Sequence, residues 1–329
     1  MKTAVSQRPS LILAQPDAIA LPADFDPDLT LRGGQAFRWT VEPDSNGQTA
    51  YRGVVEDMTL LVAPAAGQWQ ARLLNHPPTP PRLARLRDYF DLDRDYAAAR
   101  QALLERVERV APLARLSGEI ERARGLRILR QPWFETLVAF VISANNHLPR
   151  IRQIINVISL KFGQPLGSGD YAFPTPEALA AVAPATLRGE CRVGYRDRYL
   201  CQLAQRIARE RLAWEQAATR PTLELRQALQ TLPGVGPKVA ECVLLFGFHR
   251  WEAFPIDVWV RRAMTGALVA PAPDGRPPAD RQIAAAAAAR FGPLAGLAQQ
   301  YLFEIARRHK PKADNASAGD NRSSPRPRA

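Results

Sequence analysis

Apolar and polar residues alternate in the first quarter of the chain, and a different period replaces this alternation further on. Phe37, Trp39 and Val41 alternate with Arg38 and Thr40, as in a strand with one buried face. Similar apolar runs, separated by Gly, Asp and Pro, occupy Tyr51–Glu56, Met58–Val62 and Trp69–Leu74. We therefore predict a short antiparallel sheet between about residues 24 and 74.

After Pro77–Pro81 the apolar residues recur with the period of a helix. Leu83, Leu86 and Phe90 lie on one helical face, and few strand-like runs follow. The Pro-, Asp- and Gly-rich segment Ala270–Pro278 is predicted to be a loop within this helical part. The pattern predicts an α+β fold, an N-terminal antiparallel sheet domain followed by an all-α domain. We place the bounds at residues 1–22 for an N-terminal extension, 23–118 for the sheet domain, 119–310 for the helical domain and 311–329 for a disordered basic tail.

Two helical faces joined by a Gly- and Pro-rich turn form the most distinctive segment. The apolar positions are Leu225, Ala228, Leu229 and Leu232 on the first face, and Val239, Cys242, Val243 and Phe246 on the second. Between them, Gly234 and Gly236 permit close backbone approach, and the N–H groups that begin the second helix can bind a phosphate. A DNA-binding helix-hairpin-helix and an ordinary αα-turn explain this segment equally well.

Composition favours a folded protein with a polyanionic partner. Of the 329 residues, 46% are apolar and 23% charged, and 44 Lys and Arg against 32 Asp and Glu leave a net charge of +12. The length fits two globular domains, and the basic balance fits nucleic acid, although a basic tail gives the same signal. The longest apolar stretches, Leu137–Ala144 and Ile283–Ala289, fall far short of the ~18 residues of a membrane span. Because residues 1–20 also contain no continuous apolar signal core, we expect a soluble cytoplasmic protein, associated with the nucleoid through DNA binding.

The cysteine and lysine content indicates which kinds of site the chain can form. The cysteines Cys191, Cys201 and Cys242 form no CxxC pair, so we expect neither a disulfide framework nor a metal or iron–sulfur site. Five of the 44 basic residues are lysines. Because a neutral lysine amine is a nucleophile and a guanidinium stays protonated, a site that needs amine chemistry would retain its lysine.

One of these lysines, Lys238, directly follows the Gly-rich turn, and Asp257 follows 19 residues later. Lys238 is predicted to lie in the first turn of its helix, where the helix dipole disfavours a cation and favours the neutral amine. Asp257 is predicted to cap a helix that continues over Val260–Ala267. A surface lysine and a helix cap are the simple alternatives, and Asp257 can serve as a cap and as a functional carboxylate.

Five segments follow one another in the order of a known family. They are Leu31–Trp39, Ser143–Arg150, Gly194–Tyr199, Leu232–Asp257 and Gly292–Phe303. They correspond to a Gly-Gln-x-Phe-Arg-Trp strand, an Asn-rich helix start, a wedge loop, the hairpin with its Lys and Asp, and a final helix. The chain thus resembles the 8-oxoguanine DNA glycosylase/AP lyase family of helix-hairpin-helix DNA glycosylases, over about residues 24–310.

The resemblance implies base excision followed by cleavage of the DNA strand. Lys238 attacks C1′ of the damaged nucleotide and holds the sugar as a Schiff base, and β-elimination then nicks the strand. Asp257 stabilises positive charge at the sugar, as a carboxylate beside an oxocarbenium-like centre does. The expected partner is damaged double-stranded DNA, bound by a monomer; no cofactor, metal or membrane is implied.

For the base pocket, the resemblance implies that the Phe303 ring and the Cys242 thiol hold the oxidised base between them, beside Pro255. Gln299 carries an amide that suits the Watson–Crick edge of a purine. The carbonyl of Gly34 accepts a hydrogen bond from N7–H, a hydrogen that 8-oxoguanine carries and guanine lacks. Core packing, a solvated helix position and a strand bend are the structural alternatives for these residues.

On the opposite strand, the resemblance assigns four residues to the place that the flipped base vacates. Asn145 fills the space, and Tyr195 wedges into the base stack. Arg150 and Arg196 bind the unpaired cytosine, whose N3 and O2 are both acceptors.

Three positions depart from the family pattern. Trp259 occupies the place of a histidine that contacts phosphate, His147 replaces the third Asn of the Asn-rich turn, and Pro237 replaces a Thr. The phosphate contact is therefore not transferred to Trp259. His249 and His309 show no partner spacing and receive no role.

Excision of 8-oxoguanine opposite cytosine, with AP-lyase activity, explains more of these residues than two alternatives do. A monofunctional alkylpurine glycosylase would use Asp257 and water alone, and Lys238 argues against it. A non-catalytic helix-hairpin-helix module would only bind phosphates. That alternative leaves the Lys238–Asp257 pairing and the set Phe303, Cys242 and Gln299 unexplained.

Overall fold

The computed structural model describes residues 18–308; His309 and the predicted tail, residues 311–329, lie outside them. The N-terminal part is a five-stranded antiparallel sheet in the order β1-β5-β4-β3-β2. Its strands are β1 (Ala18–Ala20), β2 (Trp39–Pro43), β3 (Thr49–Val55), β4 (Met58–Ala65) and β5 (Gln68–Leu73). The four predicted strand regions are confirmed, but Val41, predicted on the buried face of β2, is exposed. Tyr51 pairs with both Val41 and Val62.

The first strand was not predicted. β1 lies within residues 1–22, the segment interpreted as an extension, and it forms an edge of the sheet by pairing with β5. Three residues are too few for an alternating pattern, so only the long-range pairing defines the strand. The domain bounds themselves stay predictions.

The rest of the described chain is helical, which confirms the α+β fold class. The helices are α1 (Pro27–Leu31), α2 (Pro80–Tyr89), α3 (Tyr96–Glu108), α4 (Ala111–Ala114), α5 (Ser117–Arg122), α6 (Trp133–Ser143), α7 (Leu148–Phe162), α8 (Pro176–Ala180), α9 (Pro184–Gly189), α10 (Asp197–Arg209), α11 (Arg211–Glu215), α12 (Thr222–Gln230), α13 (Pro237–Cys242), α14 (Val258–Met264), α15 (Asp280–Phe291) and α16 (Ala295–Arg308). The predicted loop Ala270–Pro278 lies between α14 and α15. Within residues 18–308, no helix is long and apolar enough to cross a membrane.

Two hydrophobic clusters stabilise the two parts. In the sheet cluster, Trp39 packs among buried strand residues and against α2, where its indole N–H donates to the Tyr89 hydroxyl at 2.9 Å. The larger cluster surrounds α6, whose residues 136–142 are all buried. A helix that is apolar on every side belongs inside a protein, and each fully buried large apolar side chain contributes about 1.5–3 kcal/mol. α6 is therefore the central support for the helices around it.

A buried glutamine ties the loop before β2 to the segment before α6. The Gln35 amide donates to the carbonyls of Thr30 and Arg127 at 3.0 and 2.7 Å, and its oxygen accepts from the N–H of Leu129 at 2.9 Å. The side chain of Gln131 in turn donates to the Gln35 carbonyl at 2.8 Å. Because a buried amide with satisfied partners has one stable arrangement, this network fixes the loop that contains Gly34.

The helix-hairpin-helix is confirmed, with one difference in its second helix. The apolar period predicts a regular helix to Phe246, whereas α13 ends at Cys242 and a π-helical turn follows over Val243–Gly247. The N–H of Phe248 donates to the Val243 carbonyl at 3.0 Å, five residues back. Gly247 lies against the Trp133 backbone, and this close approach of α6 accompanies the wider turn.

Candidate active site

The hairpin presents its turn to solvent and places Lys238 beside it. Gly236 is the N-cap of α13, Pro237 is its first residue and Lys238 its second, as predicted. Gly234 and Gly236 are exposed, and a Cβ at Gly236 would contact nothing within 4 Å. Gly234 packs closely on α10, because a Cβ there would lie 3.1 Å from that of Tyr199. An open, rigid turn of this kind is suited to a phosphate, and the contact stays a prediction.

The charge of Lys238 acts on the carboxyl group of Asp257. Lys238 is half-buried, with its Nζ 5.8 Å from the centroid of the Phe140 ring. Asp257 caps α14, as predicted, and one of its oxygens accepts from the N–H groups of Trp259 and Val260 at 3.0 and 2.8 Å. Burial raises the pKa of the Asp257 carboxyl, and the Val260 N–H and the Lys238 charge oppose that rise. The carboxylate is thus cap and charge partner at once.

Cys242 lies one helical turn after Lys238 on the same face of α13. It is 3% exposed, and burial raises the pKa of its thiol to about 12, against the opposing charge of Lys238. The thiol therefore stays neutral at physiological pH. A neutral, buried sulfur is a packing surface rather than a nucleophile.

Gly34 and Phe303 lie in direct contact, although 269 residues separate them in the sequence. A Cβ built on Gly34 would be 3.2 Å from an edge carbon of the Phe303 ring and 3.5 Å from the Leu148 side chain. Gly34 also has φ +97°, which favours glycine. Within residues 18–308 no N–H donates to the Gly34 carbonyl.

Gln299 lies one turn before Phe303 on α16, facing the same side of the helix. It is buried, and its side-chain oxygen accepts from the Gln300 amide at 2.7 Å. Pro255 is buried two residues before Asp257, and α14 packs against α16. The lysine–carboxylate pair and the Gly34–Phe303 contact are thus carried by elements that pack together.

The resemblance implies that Gly34→Ala lowers excision of the damaged base by about ten-fold or more, because a methyl group there meets the Phe303 ring and the positive φ adds ~1–3 kcal/mol of strain. Single-turnover excision and thermal melting measure the two effects. Gly47→Ala is the matched control, since Gly47 also has positive φ but a Cβ there contacts nothing within 4 Å. Equal excision rates in the two variants would contradict a role for the Gly34 contact.

The structure brings the four opposite-strand residues together at the joint of α6, α7 and α10. Asn145 is exposed with φ +50°, and Tyr195 is 57% exposed. The Arg196 guanidinium lies 4.4 Å from the centroid of the Tyr195 ring and donates to the Ala144 and Val193 carbonyls. Arg196 is therefore buried between the two loops, whereas Arg150 is exposed. Their contacts with cytosine stay predictions.

Two departures from the family pattern have local roles. His147 is the N-cap of α7, where its ring nitrogen accepts from the Arg150 N–H at 3.4 Å. Trp259 is half-buried, and the Arg262 guanidinium lies 5.4 Å from the centroid of its ring, within the range of a cation–π interaction.

His249, which received no role, belongs to a buried polar cluster, and burial lowers the pKa of its imidazole. Its Nε2 lies 3.1 Å from an oxygen of Asp91, which also accepts hydrogen bonds from Arg94 and Tyr96. Burial raises the pKa of Asp91, but His249 and Arg94 hold it well below its usual range. The cluster joins the segment after α2 to the loop after the π-helical turn, a contact between distant segments that sequence spacing does not reveal. Within residues 18–308, no group of three or more His, Cys, Asp or Glu side chains is placed to hold a metal ion.

Comparison with known proteins decides the family. Residues 18–137 match the model of the 8-oxoguanine DNA glycosylase N-terminal domain. The N-glycosylase/DNA lyase OGG1 of Arabidopsis thaliana is 30% identical over 287 residues, which is 84% of this chain and 75% of the plant protein. The chain belongs to the 8-oxoguanine DNA glycosylase family.

Two other proteins support this assignment. A probable N-glycosylase/DNA lyase of Methanothermobacter thermautotrophicus is 35% identical over 215 residues, covering 59% of this chain and 67% of that protein. The Clostridium acetobutylicum 8-oxoguanine glycosylase/lyase, solved with double-stranded DNA containing cytosine opposite the lesion, superposes with a TM-score of 0.76 at 32% identity, covering 91% of this chain and 98% of that one. The resemblance seen in the sequence is confirmed, and with it the class of helix-hairpin-helix glycosylases.

The residues of the site that sequence reasoning did not identify support the predicted ones. Gln35 fixes the Gly34 loop, and Gln300 contacts the amide of Gln299. Gln35 belongs to the quoted Gly-Gln-x-Phe-Arg-Trp motif, so its position carried a signal. Gln300 carried none, because a second polar residue beside Gln299 is ordinary on a helix.

Proposed function

We infer that this protein is a bifunctional DNA glycosylase/AP lyase that excises 8-oxoguanine, opposite cytosine, from duplex DNA in base excision repair. The observation that carries this function is the placement of Lys238 at the hairpin. It is half-buried there, and its charge acts on the Asp257 carboxylate, which caps α14. A purely DNA-binding hairpin needs neither group. We also propose that the enzyme acts in the cytoplasm, associated with the nucleoid through DNA binding.

Lys238 would carry the covalent chemistry. Its Nζ lone pair forms a bond to C1′ as the C1′–N9 bond breaks, and the electron pair of the C1′–N9 bond leaves with the base. The nitrogen then loses two protons, and the C1′–O4′ bond opens with its electron pair and one proton going to O4′, which gives an imine. Removal of a C2′ proton then expels the 3′-phosphate and nicks the strand. Asp257 stabilises the positive charge that develops on the sugar before the new bond is complete.

Base selectivity would lie in the Gly34–Phe303 pocket. A carbonyl oxygen attracts the N7–H of 8-oxoguanine and repels the N7 lone pair of guanine. The Gly34 carbonyl supports this assignment because it has no donor among residues 18–308. Flipping delivers the base from the duplex, and the space left behind would be filled by Asn145.

Borohydride trapping tests the proposed function. The purified protein is incubated with duplexes that contain 8-oxoguanine opposite cytosine, 3-methyladenine or no lesion. We expect a covalent adduct on the first duplex alone, because reduction captures an imine between lysine and sugar. Base release without an adduct would indicate a monofunctional glycosylase. No release from any duplex would leave only a DNA-binding module.

The preference for cytosine opposite the lesion should depend on Arg150 and Arg196. Alanine at either position is expected to reduce the preference by ~1–3 kcal/mol if the contact is bidentate. Excision opposite each of the four bases measures it, with Arg109→Ala, at an exposed position at the end of α3, as the matched control. Unchanged preference in both site variants would remove the assigned roles. Arg150→Ala is the cleaner variant, because Arg196 also holds the turn before Asn145.

A further inference from the structure

Gln299 and Gln300 form a buried amide pair on α16. Gln299 is 4% exposed and Gln300 3% exposed. The Nε2 group of Gln300 donates to the Oε1 atom of Gln299 at 2.7 Å. Within residues 18–308, the Nε2 group of Gln299 has no acceptor. In this arrangement the Gln300 donor faces the oxygen end of the Gln299 amide.

This orientation matters because a carboxamide has almost the same shape after a 180° flip. The flip exchanges a donor for an acceptor at each end. A guanine-type edge presents the acceptor O6 beside the donor N1–H, and an adenine-type edge presents the donor N6–H₂ beside the acceptor N1. Opposite orientations of the same amide therefore match the two purine classes.

We propose that Gln300 is a positioning residue that fixes the Gln299 amide in the orientation suited to a guanine-type edge, so that the pocket rejects 8-oxopurines with an adenine-type edge. The proposal rests on the proposed function, in which Gln299 contacts the flipped base. Oε1 has two lone pairs, so one remains for N1–H while the other accepts from Gln300. Nε2 is left to donate to O6. If the Gln299 amide flipped while the Gln300 amide kept its orientation, Nε2 would face the donor of Gln300 and leave two donors without acceptors.

The first test replaces Gln300 by methionine, which keeps length and apolar volume but donates nothing. Excision of 8-oxoguanine and 8-oxoadenine is compared in the same duplex. Both bases carry N7–H, so the Gly34 carbonyl does not distinguish them. In Gln300→Met the ratio of kcat/KM for the two bases should fall about ten-fold, the effect of losing one buried hydrogen bond. Gln101→Met, at an exposed position on α3, should leave the ratio unchanged.

The second test uses Gln300→Glu and a pH profile. An ionised carboxylate only accepts, so the Gln299 amide should turn its Nε2 group towards it and favour the adenine-type edge. A protonated carboxyl carries one O–H, which can donate to Oε1 and restore the original orientation. The selectivity ratio of this variant should therefore rise as the pH falls, while that of the wild type stays flat. A merely structural effect of the substitution would not reverse with protonation.

The outcomes distinguish failure of the proposed function from failure of the positioning role of Gln300. If the wild-type protein does not excise 8-oxoguanine, the proposed function is wrong. If the wild type is active and folded Gln300→Met keeps its selectivity ratio, Gln300 does not position Gln299. If Gln300→Met does not fold, as thermal melting shows, the decision rests on Gln300→Glu. A pH-independent ratio in that variant overturns the proposal.

Discussion

Lys238→Gln is expected to abolish base excision and strand cleavage while DNA binding persists. The Nζ atom of Lys238 lies 5.8 Å from the centroid of the Phe140 ring. Glutamine keeps a similar apolar stem beside this ring, but the amide nitrogen of glutamine is not a nucleophile. The excision rate should fall by at least about 10³-fold, as when an enzyme loses its nucleophile. With the same 8-oxoguanine duplex, single-turnover assays measure base excision and strand cleavage, borohydride trapping measures imine formation, and fluorescence anisotropy measures DNA binding.

Lys161→Gln is the matched control for this variant. Lys161 lies at the end of α7 and pairs with Glu190 at 2.6 Å, so its replacement should change neither excision nor trapping. Substantial strand nicking by Lys238→Gln would mean that another amine forms the imine. Loss of DNA binding in Lys238→Gln would instead assign the lysine to DNA binding, as a surface cation.

The hairpin was predictable because its determinants are local. The apolar period defines both helices, and the glycines and prolines define the turn, so α12, the turn and the start of α13 lie where the pattern places them. The π-helical turn over Val243–Gly247 was not predictable, because it accompanies the approach of Trp133 from another helix. Short-range patterns determine elements, and long-range packing adjusts them.

In the proposed base pocket, too, the contacts depend on long-range packing rather than on local sequence patterns. Nothing in periodicity or spacing relates Gly34 to Phe303, and only the resemblance to a family placed both in one pocket. The structure adds their contact and the Gln35 network that fixes the loop. It also buries Arg196 against the Ala144 carbonyl, a partner that a sequence rich in arginine does not indicate. Side-chain partners depend on the tertiary fold, so single residues were predicted less completely than elements.

Asp257→Asn should isolate the charge of the carboxylate from its structural role. Asparagine is as good an N-cap as aspartate, so its oxygen can still accept from the N–H groups of Trp259 and Val260, and the melting temperature should change little. Excision should nevertheless fall by about 10²–10³-fold, the usual effect of removing one electrostatic stabiliser of a transition state. Asp95→Asn is the matched control, because Asp95 caps α3 in the same way and is exposed.

The pH profile provides a second, independent test of Asp257. The ionised carboxylate is the active form, and burial raises the pKa of Asp257 above its ordinary value. The raised pKa means that ionisation is complete only at a higher pH than for an exposed aspartate. Wild-type excision should therefore decline on the acid side beginning above the ordinary carboxylate range, whereas the residual activity of Asp257→Asn should lack this decline. If both proteins showed the same acid limb, another group would control it, and the profile would not support ionisation of Asp257 as the cause of the decline.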